Sequence, residues 1–193
     1  MRNKEFDPDE ITDKAMNVFW LRGYEGTSIQ DLVEGTGLSR SSLYSTFQSK
    51  HHLYQQALKH YSSVTSENIA LISGNGDVKI LLRTLLEKIA DDEINDECQR
   101  GCFVANASLE LAGHDPEIAS LVSENFRRLQ SAFEGLIKRG QKTSEISLEK
   151  DPTALSYFLL NNIQGMRVVS KGFPIQKRKS VLYNIIDIVL SRL

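Results

Sequence analysis

The chain has 193 residues, 40% of them hydrophobic and 25% charged, with a formal net charge of −2. That length accommodates one large domain or two small ones, and no run approaches the roughly 18 apolar residues that a membrane span needs. The opening MRNKEFDPDE lacks the apolar core of a secretory signal, and two cysteines, Cys98 and Cys102, are too few for the disulfide scaffold of an exported protein, so the expected compartment is the cytoplasm.

Apolar residues recur at three-and-four spacing along nearly the whole chain, and the breaks fall at Gly, Pro, Asp and Ser; this predicts an all-α fold of about nine helices. The first starts at Asp7-Pro8-Asp9-Glu10, with Asp7 as cap, Pro8 in the first turn and Glu10 completing a capping box. Its buried stripe is Ile11, Ala15, Val18 and Phe19, and Gly23 closes it. A short helix over 28–34 follows, with Ser28 and Asp31 as a capping pair and Ile29, Leu32 and Val33 inward. Gly37 marks a turn, a third helix runs from the Ser39 cap to Phe47, and a fourth from the Ser49 cap to about Ile72. Asp77 caps a helix with the stripe Val78, Leu81, Leu82, Leu85, Leu86 and Ile89. A polar break over 91–100 then separates it from a helix over 101–111. Asp115-Pro116 and Asp151-Pro152 open two more helices, Gly172 ends the second, and Pro174 opens the last. The final two helices are apolar over a wide arc and require cover on two sides, which predicts a homodimer formed through them.

Two short helices joined through Gly35-Thr36-Gly37-Leu38 have the helix-turn-helix pattern. On the second, Leu43 and Phe47 sit four apart as anchors, which leaves Arg40, Ser41, Ser42, Ser45 and Thr46 facing outward. Arginine pairs with guanine edges, hydroxyls meet bases or phosphates, and a tyrosine phenol reaches phosphate. Helix starts at Ser28, Ser39 and Ser49 present backbone N–H groups to phosphate oxygens. The charge pattern agrees: although residues 1–60 hold 7 Lys/Arg against 8 Asp/Glu, the stretch 35–66 has no acidic residue. Arg40, Lys50, Lys59 and three histidines fall there, and one surface is predicted to be positive.

These same residues carry a family resemblance. The run FWLRGYEGTSIQDLVEGTGLSRSSLYSTFQSKHHLYQQAL, Phe19 to Leu58, resembles the TetR/AcrR family of bacterial transcriptional regulators. The resemblance implies a three-helix DNA-binding domain over 1–48 and a helical effector-binding and dimerisation domain over 49–193. It implies Thr27, Ser28, Ser39, Tyr44 and Lys50 as phosphate-holding residues, and Arg40, Ser41, Ser42 and again Tyr44 as residues that approach bases. Leu38, Leu43 and Phe47 match packing positions. The chain departs from the pattern at Val33 and Gly35, where alanines are usual, at Ser41, where glycine is frequent, and at Ser45 and Thr46, which replace histidine or aromatic phosphate contacts. Glycine near a helix end costs up to about 1 kcal/mol relative to alanine, so Gly35 is expected to loosen its helix.

The segment GCFVANASLEL, 101–111, resembles one found in many AcrR-like members. Polar residues set among apolar ones make Phe103, Asn106, Phe126, Tyr157, Asn161 and Gln164 the candidate effector-binding set. The function so implied is a ligand-responsive repressor that binds a palindromic operator in double-stranded DNA as a dimer and is released by a small molecule of unknown identity. Thiol control through Cys98 or Cys102 is the alternative. No metal-ligand spacing, phosphate-cradling glycine loop or nucleophile motif occurs, so neither a cofactor, a metal nor catalytic residues are expected.

Overall fold

The computed structural model describes residues 6–193, and all regular structure within them is helical. The helices are α1 Pro8–Arg22, α2 Ile29–Thr36, α3 Arg40–Phe47, α4 Lys50–Val64, α5 Ser66–Ser73, α6 Val78–Asn95, α7 Phe103–Glu110, α8 Pro116–Lys142, α9 Pro152–Val169 and α10 Ile175–Ser191, with a 3-10 turn at Ser170–Gly172. They pack as two compact units. The first is the chain up to Val64 together with Phe103–Ser123, and the second is Thr65–Cys102 with Glu124–Leu193. Packing therefore divides the chain after Val64 and returns α7 and the start of α8 to the amino-terminal helices.

Most boundaries follow from local chemistry. Asp7 caps α1 by accepting the Asp9 amide at 2.9 Å, and Gly23 ends it at φ 75° while donating to the Phe19 carbonyl. Asp77 caps α6, Asp151 caps α9, and the Asp115 carboxylate accepts the amides of Glu117 and Ile118 at the start of α8. Asp77, Asp115 and Asp151 were all legible as helix starts.

Four local expectations are corrected. Glu10 closes no capping box; it accepts Lys14 Nζ at 2.7 Å one turn on. Met16 is buried in α1, whereas Val18 is only half-buried. The helix expected over 49–72 divides at Thr65 into α4 and α5, where Ser62, Ser63, Val64, Thr65 and Ser66 bring together hydroxyl and β-branched side chains that weaken a helix. Conversely, α6 runs through Asp91, Asp92 and Glu93 to Asn95, inside the stretch read as a polar break. Glu93 is buried there and accepts the Ser170 hydroxyl at 3.0 Å, so its polarity signals a partner and not a loop.

In the first unit, α1 packs on α4 and α2, and α4 also packs on α7. The core is aromatic: Phe19 meets Tyr54 edge-on at 4.9 Å, Tyr54 meets Phe103 at 5.4 Å, and Trp20 meets Tyr61 at 5.1 Å. Burial pushes the Tyr54 phenol well above its ordinary pKa. In the second unit, α6 packs on α10 and α9 over a core including Leu82, Leu85, Leu86, Phe133, Leu159, Ile163 and Ile186. Two of the polar groups inside it are met as follows. Gln130 donates to Ser156 at 2.8 Å, and Arg178, 2% exposed, donates to the Phe173 carbonyl at 3.0 Å.

Candidate nucleic-acid interface

Ser28 begins the site. Its hydroxyl accepts the Asp31 amide at 3.1 Å, while the Asp31 carboxylate accepts the Ser28 amide at 2.8 Å and its hydroxyl at 2.6 Å, a reciprocal capping box at the start of α2. These bonds hold the Asp31 carboxyl below the usual carboxylate range, with Arg22 at 2.5 Å adding to the effect. Thr36 donates back to the Leu32 carbonyl, and Gly37 turns the chain in a left-handed conformation at φ 75°, a conformation that glycine adopts without cost.

α3 then starts from Ser39, whose Oγ accepts the Ser42 amide at 3.2 Å and lies 2.9 Å from both the Ser41 and Ser42 hydroxyls. Leu43 and Phe47 are buried beneath the helix. Arg40, Ser41, Tyr44 and Ser45 are exposed on its other side, with Ser42 and Thr46 half-exposed. The Arg40 guanidinium sits 6.0 Å from the Tyr44 ring centroid, a cation–π distance that leaves its N–H groups free to pair. After α3 the chain makes a tight turn: Gln48 has φ 64° and ψ −49°, and the Ser49 amide donates to the Phe47 carbonyl at 2.6 Å. That positive-φ γ-turn at a non-glycine residue gave no signal in the sequence.

Thr27 is placed differently from its neighbours. It is 1% exposed and donates its hydroxyl to the Gly23 carbonyl at 2.6 Å, so its side chain braces the α1–α2 connection from within. Lys50, half-buried at the start of α4, holds its Nζ 4.2 Å from the Tyr24 ring centroid. Two of the three histidines of the acid-free stretch meet carboxylates from elsewhere in the unit: His51 lies 2.7 Å from Asp115, and His60 lies 3.2 Å from Asp13, whereas His52 lies 3.0 Å from the Gln56 amide nitrogen. Arg40, on α3, and Lys50, at the start of α4, are cations close to the exposed face of α3.

Gly35 has a packing role that the sequence did not show. A Cβ on it would lie 2.3 Å from Val18 Cγ2 of α1, so glycine permits α1 and α2 to approach closely. Val18 of α1 occupies the space that an alanine methyl at position 35 would take.

A capped helix pair that presents an arginine and hydroxyls outward has the groups that pair with base edges and phosphates of duplex DNA. The profile of the bacterial regulatory proteins of the tetR family matches residues 11–57, and that of the tetracyclin repressor-like C-terminal domain matches residues 81–173. The uncharacterized HTH-type transcriptional regulator YezE of Bacillus subtilis is 32% identical over 174 residues, covering 88% of this chain and 89% of its own. The chain belongs to the TetR family. It is a DNA-binding transcriptional regulator. The HTH-type transcriptional repressor ComR of Escherichia coli is 31% identical over 179 residues, covering 91% of this chain and 85% of its own. Among solved structures, a cysteine mutant of the TetR family regulator CifR, complexed with 26bp double-strand operator DNA, superposes with a TM-score of 0.84 at 27% identity, covering 96% of this chain and 98% of that one.

The six candidate effector residues do not fall together in one compact unit. Phe103 and Asn106 belong to the first, where Phe103 is buried against Trp20, Tyr54 and Tyr61. Phe126, Tyr157, Asn161 and Gln164 belong to the second. Phe126 is half-buried, Tyr157 and Asn161 are exposed, and Gln164 carries a buried Oε1 with no hydrogen-bond donor. Of the cysteines, Cys98 is exposed in the turn after α6 and Cys102 is buried, and neither is part of a disulfide. Among the described residues no cluster of metal ligands occurs, and no helix is long and apolar enough to cross a membrane.

Proposed function

We propose that the chain is a ligand-responsive repressor that binds a near-palindromic operator as a homodimer in the cytoplasm. The observation that carries this reading is the exposed face of α3, where Arg40, Ser41 and Tyr44 stand outward above the Leu43 and Phe47 anchors. Arg40, Ser41, Ser42 and Tyr44 approach base edges, while Ser28, Ser39, Tyr44 and Lys50 hold phosphates. Thr27 contributes by bracing the turn before Ser28. Residues 1–48 serve as the reading domain and 49–193 as the regulatory one, a functional division that lies ahead of the packing boundary at Val64. Two-fold symmetry places the half-sites about 34–36 Å apart, or a multiple of that.

Exposed Tyr157 and Val168 on α9, with Ile188 on α10, support a dimer through the last two helices. The unsatisfied Gln164 oxygen supports an effector that carries a hydrogen-bond donor. The effector prefers the conformer whose reading helices are wrongly spaced for the duplex, and by reciprocity operator DNA weakens effector binding by the same factor.

The test is titration of the protein on the DNA upstream of its own gene at several salt concentrations, alongside a random duplex. Site-selective, salt-sensitive binding is expected, and uniformly weak binding to both sinks the reading. Arg40→Ala is expected to lose about 1–3 kcal/mol of discrimination at one base pair, whereas Lys50→Ala weakens binding to all sequences alike.

Thiol control is a second reading, supported by the exposure of Cys98 and by the cysteine substitutions that the CifR operator complex carries. Mild oxidation is then expected to lower operator affinity in the parent and to have no effect in Cys98→Ser. An equal response in both removes Cys98 from the mechanism.

A further inference from the structure

Glu110, at the end of α7, lies far along the chain from the reading helices but reaches the turn that precedes them. Its two carboxylate oxygens accept the backbone amides of Tyr24 at 2.9 Å and Glu25 at 2.7 Å. These are charge-assisted bonds to a pair of successive N–H groups, an arrangement that suits an anion. Gly23 is adapted to the same contact. It stands at φ 75°, and a Cβ there would lie 3.0 Å from Glu110 Oε2.

The residue so fixed, Tyr24, is a junction. Its ring lies beneath Lys50 Nζ at 4.2 Å, meets Tyr54 at 5.0 Å, and meets the edge of His51 at 6.2 Å. His51 in turn bonds Asp115, the cap of α8. Four residues after Gly23, Thr27 returns its hydroxyl to the Gly23 carbonyl, directly before the Ser28 cap of α2. One carboxylate therefore binds the turn that carries the Tyr24 ring under Lys50 and leads into the Thr27–Ser28 corner.

We propose that Glu110 is a positioning residue for DNA binding: it fixes the Tyr24 turn, and through the Tyr24 ring it holds Lys50 where it meets phosphate. The proposal rests on the reading of Lys50 as a phosphate contact. An exposed lysine samples many rotamers, and ordering it on binding costs free energy. A ring placed under the ammonium removes part of that cost in advance.

The experiment measures affinity and salt dependence of the full chain on its upstream DNA for the parent, Glu110→Ala, Glu110→Gln, Tyr24→Leu, Lys50→Ala and the Glu110→Ala/Lys50→Ala pair, with thermal melts establishing that each is folded at the assay temperature. Glu110→Ala is expected to bind roughly ten-fold more weakly, and the slope of log K against log salt is expected to fall by about one, the loss of a single phosphate contact. Lys50→Ala added to Glu110→Ala is expected to lower the slope no further. A folded Glu110→Ala with parental affinity and slope overturns the proposal, as does a further slope loss of about one in the double variant. If Glu110→Ala fails to fold, Glu110→Gln and Tyr24→Leu decide. Tyr24→Leu keeps the backbone amides and removes only the ring, so a parental slope there is equally fatal. A parent that shows no selective binding rejects the regulator reading itself, whereas selective binding that these substitutions leave intact rejects only the role of Glu110.

Discussion

Val18 and Gly35 show why a single residue misleads when it is read alone. Glycine at position 35 costs helix propensity, but the alternative places a methyl group 2.3 Å from Val18 Cγ2. Overpacking of that kind costs typically about 1–3 kcal/mol and outweighs the roughly 1 kcal/mol that alanine gains in a helix. Gly35→Ala is expected to lower the melting temperature, and the same change in a Val18→Ala background is expected to raise it. Thermal melts of the four proteins measure the coupling, and additive effects would mean the two side chains do not compete. Asp31 gives the second prediction at this scale. Its carboxyl is held below the ordinary range by the Ser28 hydroxyl and amide, so its folded pKa lies under the unfolded one. That stabilisation is present at neutral pH and is lost as the pH falls from the usual carboxylate range through the lower folded value. Asp31→Asn is expected to reduce stability at pH 7 and to flatten the acid limb of a stability–pH profile. An unchanged acid limb would remove the capping box from the account.

At the level of helices, starts were legible and ends often were not. Asp-Pro pairs at Asp7, Asp115 and Asp151 announce themselves because the side chain that caps the helix is adjacent to the ring that opens it. The division of α4 from α5 was missed because Thr65 keeps near-helical dihedrals, φ −81° and ψ 0°, and the apolar spacing continues across it. The extension of α6 to Asn95 was missed because the partner that satisfies Glu93, Ser170, is 77 residues away. The reading pair itself was legible in full outline, since Ser28, Gly37, Ser39, Leu43 and Phe47 are local signals. The support behind it was not, because Glu110 acts across 86 residues on a backbone amide that leaves no trace in side-chain pattern. Gln48 is another feature that the sequence does not signal. Its positive-φ turn stores strain of order 1–3 kcal/mol, and glycine adopts it freely. Gln48→Gly is expected to raise stability by about 1 kcal/mol in denaturant unfolding, and a loss of stability would show that the Gln48 side chain makes a compensating contact.

For the molecule as a whole, the apolar surface left uncovered on the last two helices decides what can be tested next. Tyr157 is 58% exposed, Val168 60% and Ile188 59%, on helices whose opposite sides already fill the core of the second unit. A helix apolar on both sides is stable in water only when a second surface covers it, and in a homodimer that cover is another copy of the same face. Two-fold symmetry doubles the effect of any substitution there, because each appears twice in one interface. An unpaired carboxylate buried at such an interface costs about 3–5 kcal/mol. Ile188→Glu is therefore expected to weaken self-association by at least about 100-fold, shifting the sedimentation coefficient from dimer to monomer at micromolar concentration. Operator binding should fall with it, since a monomer engages one half-site and loses the linked second contact. A variant that remains dimeric and binds its operator as the parent does would move the interface away from α10.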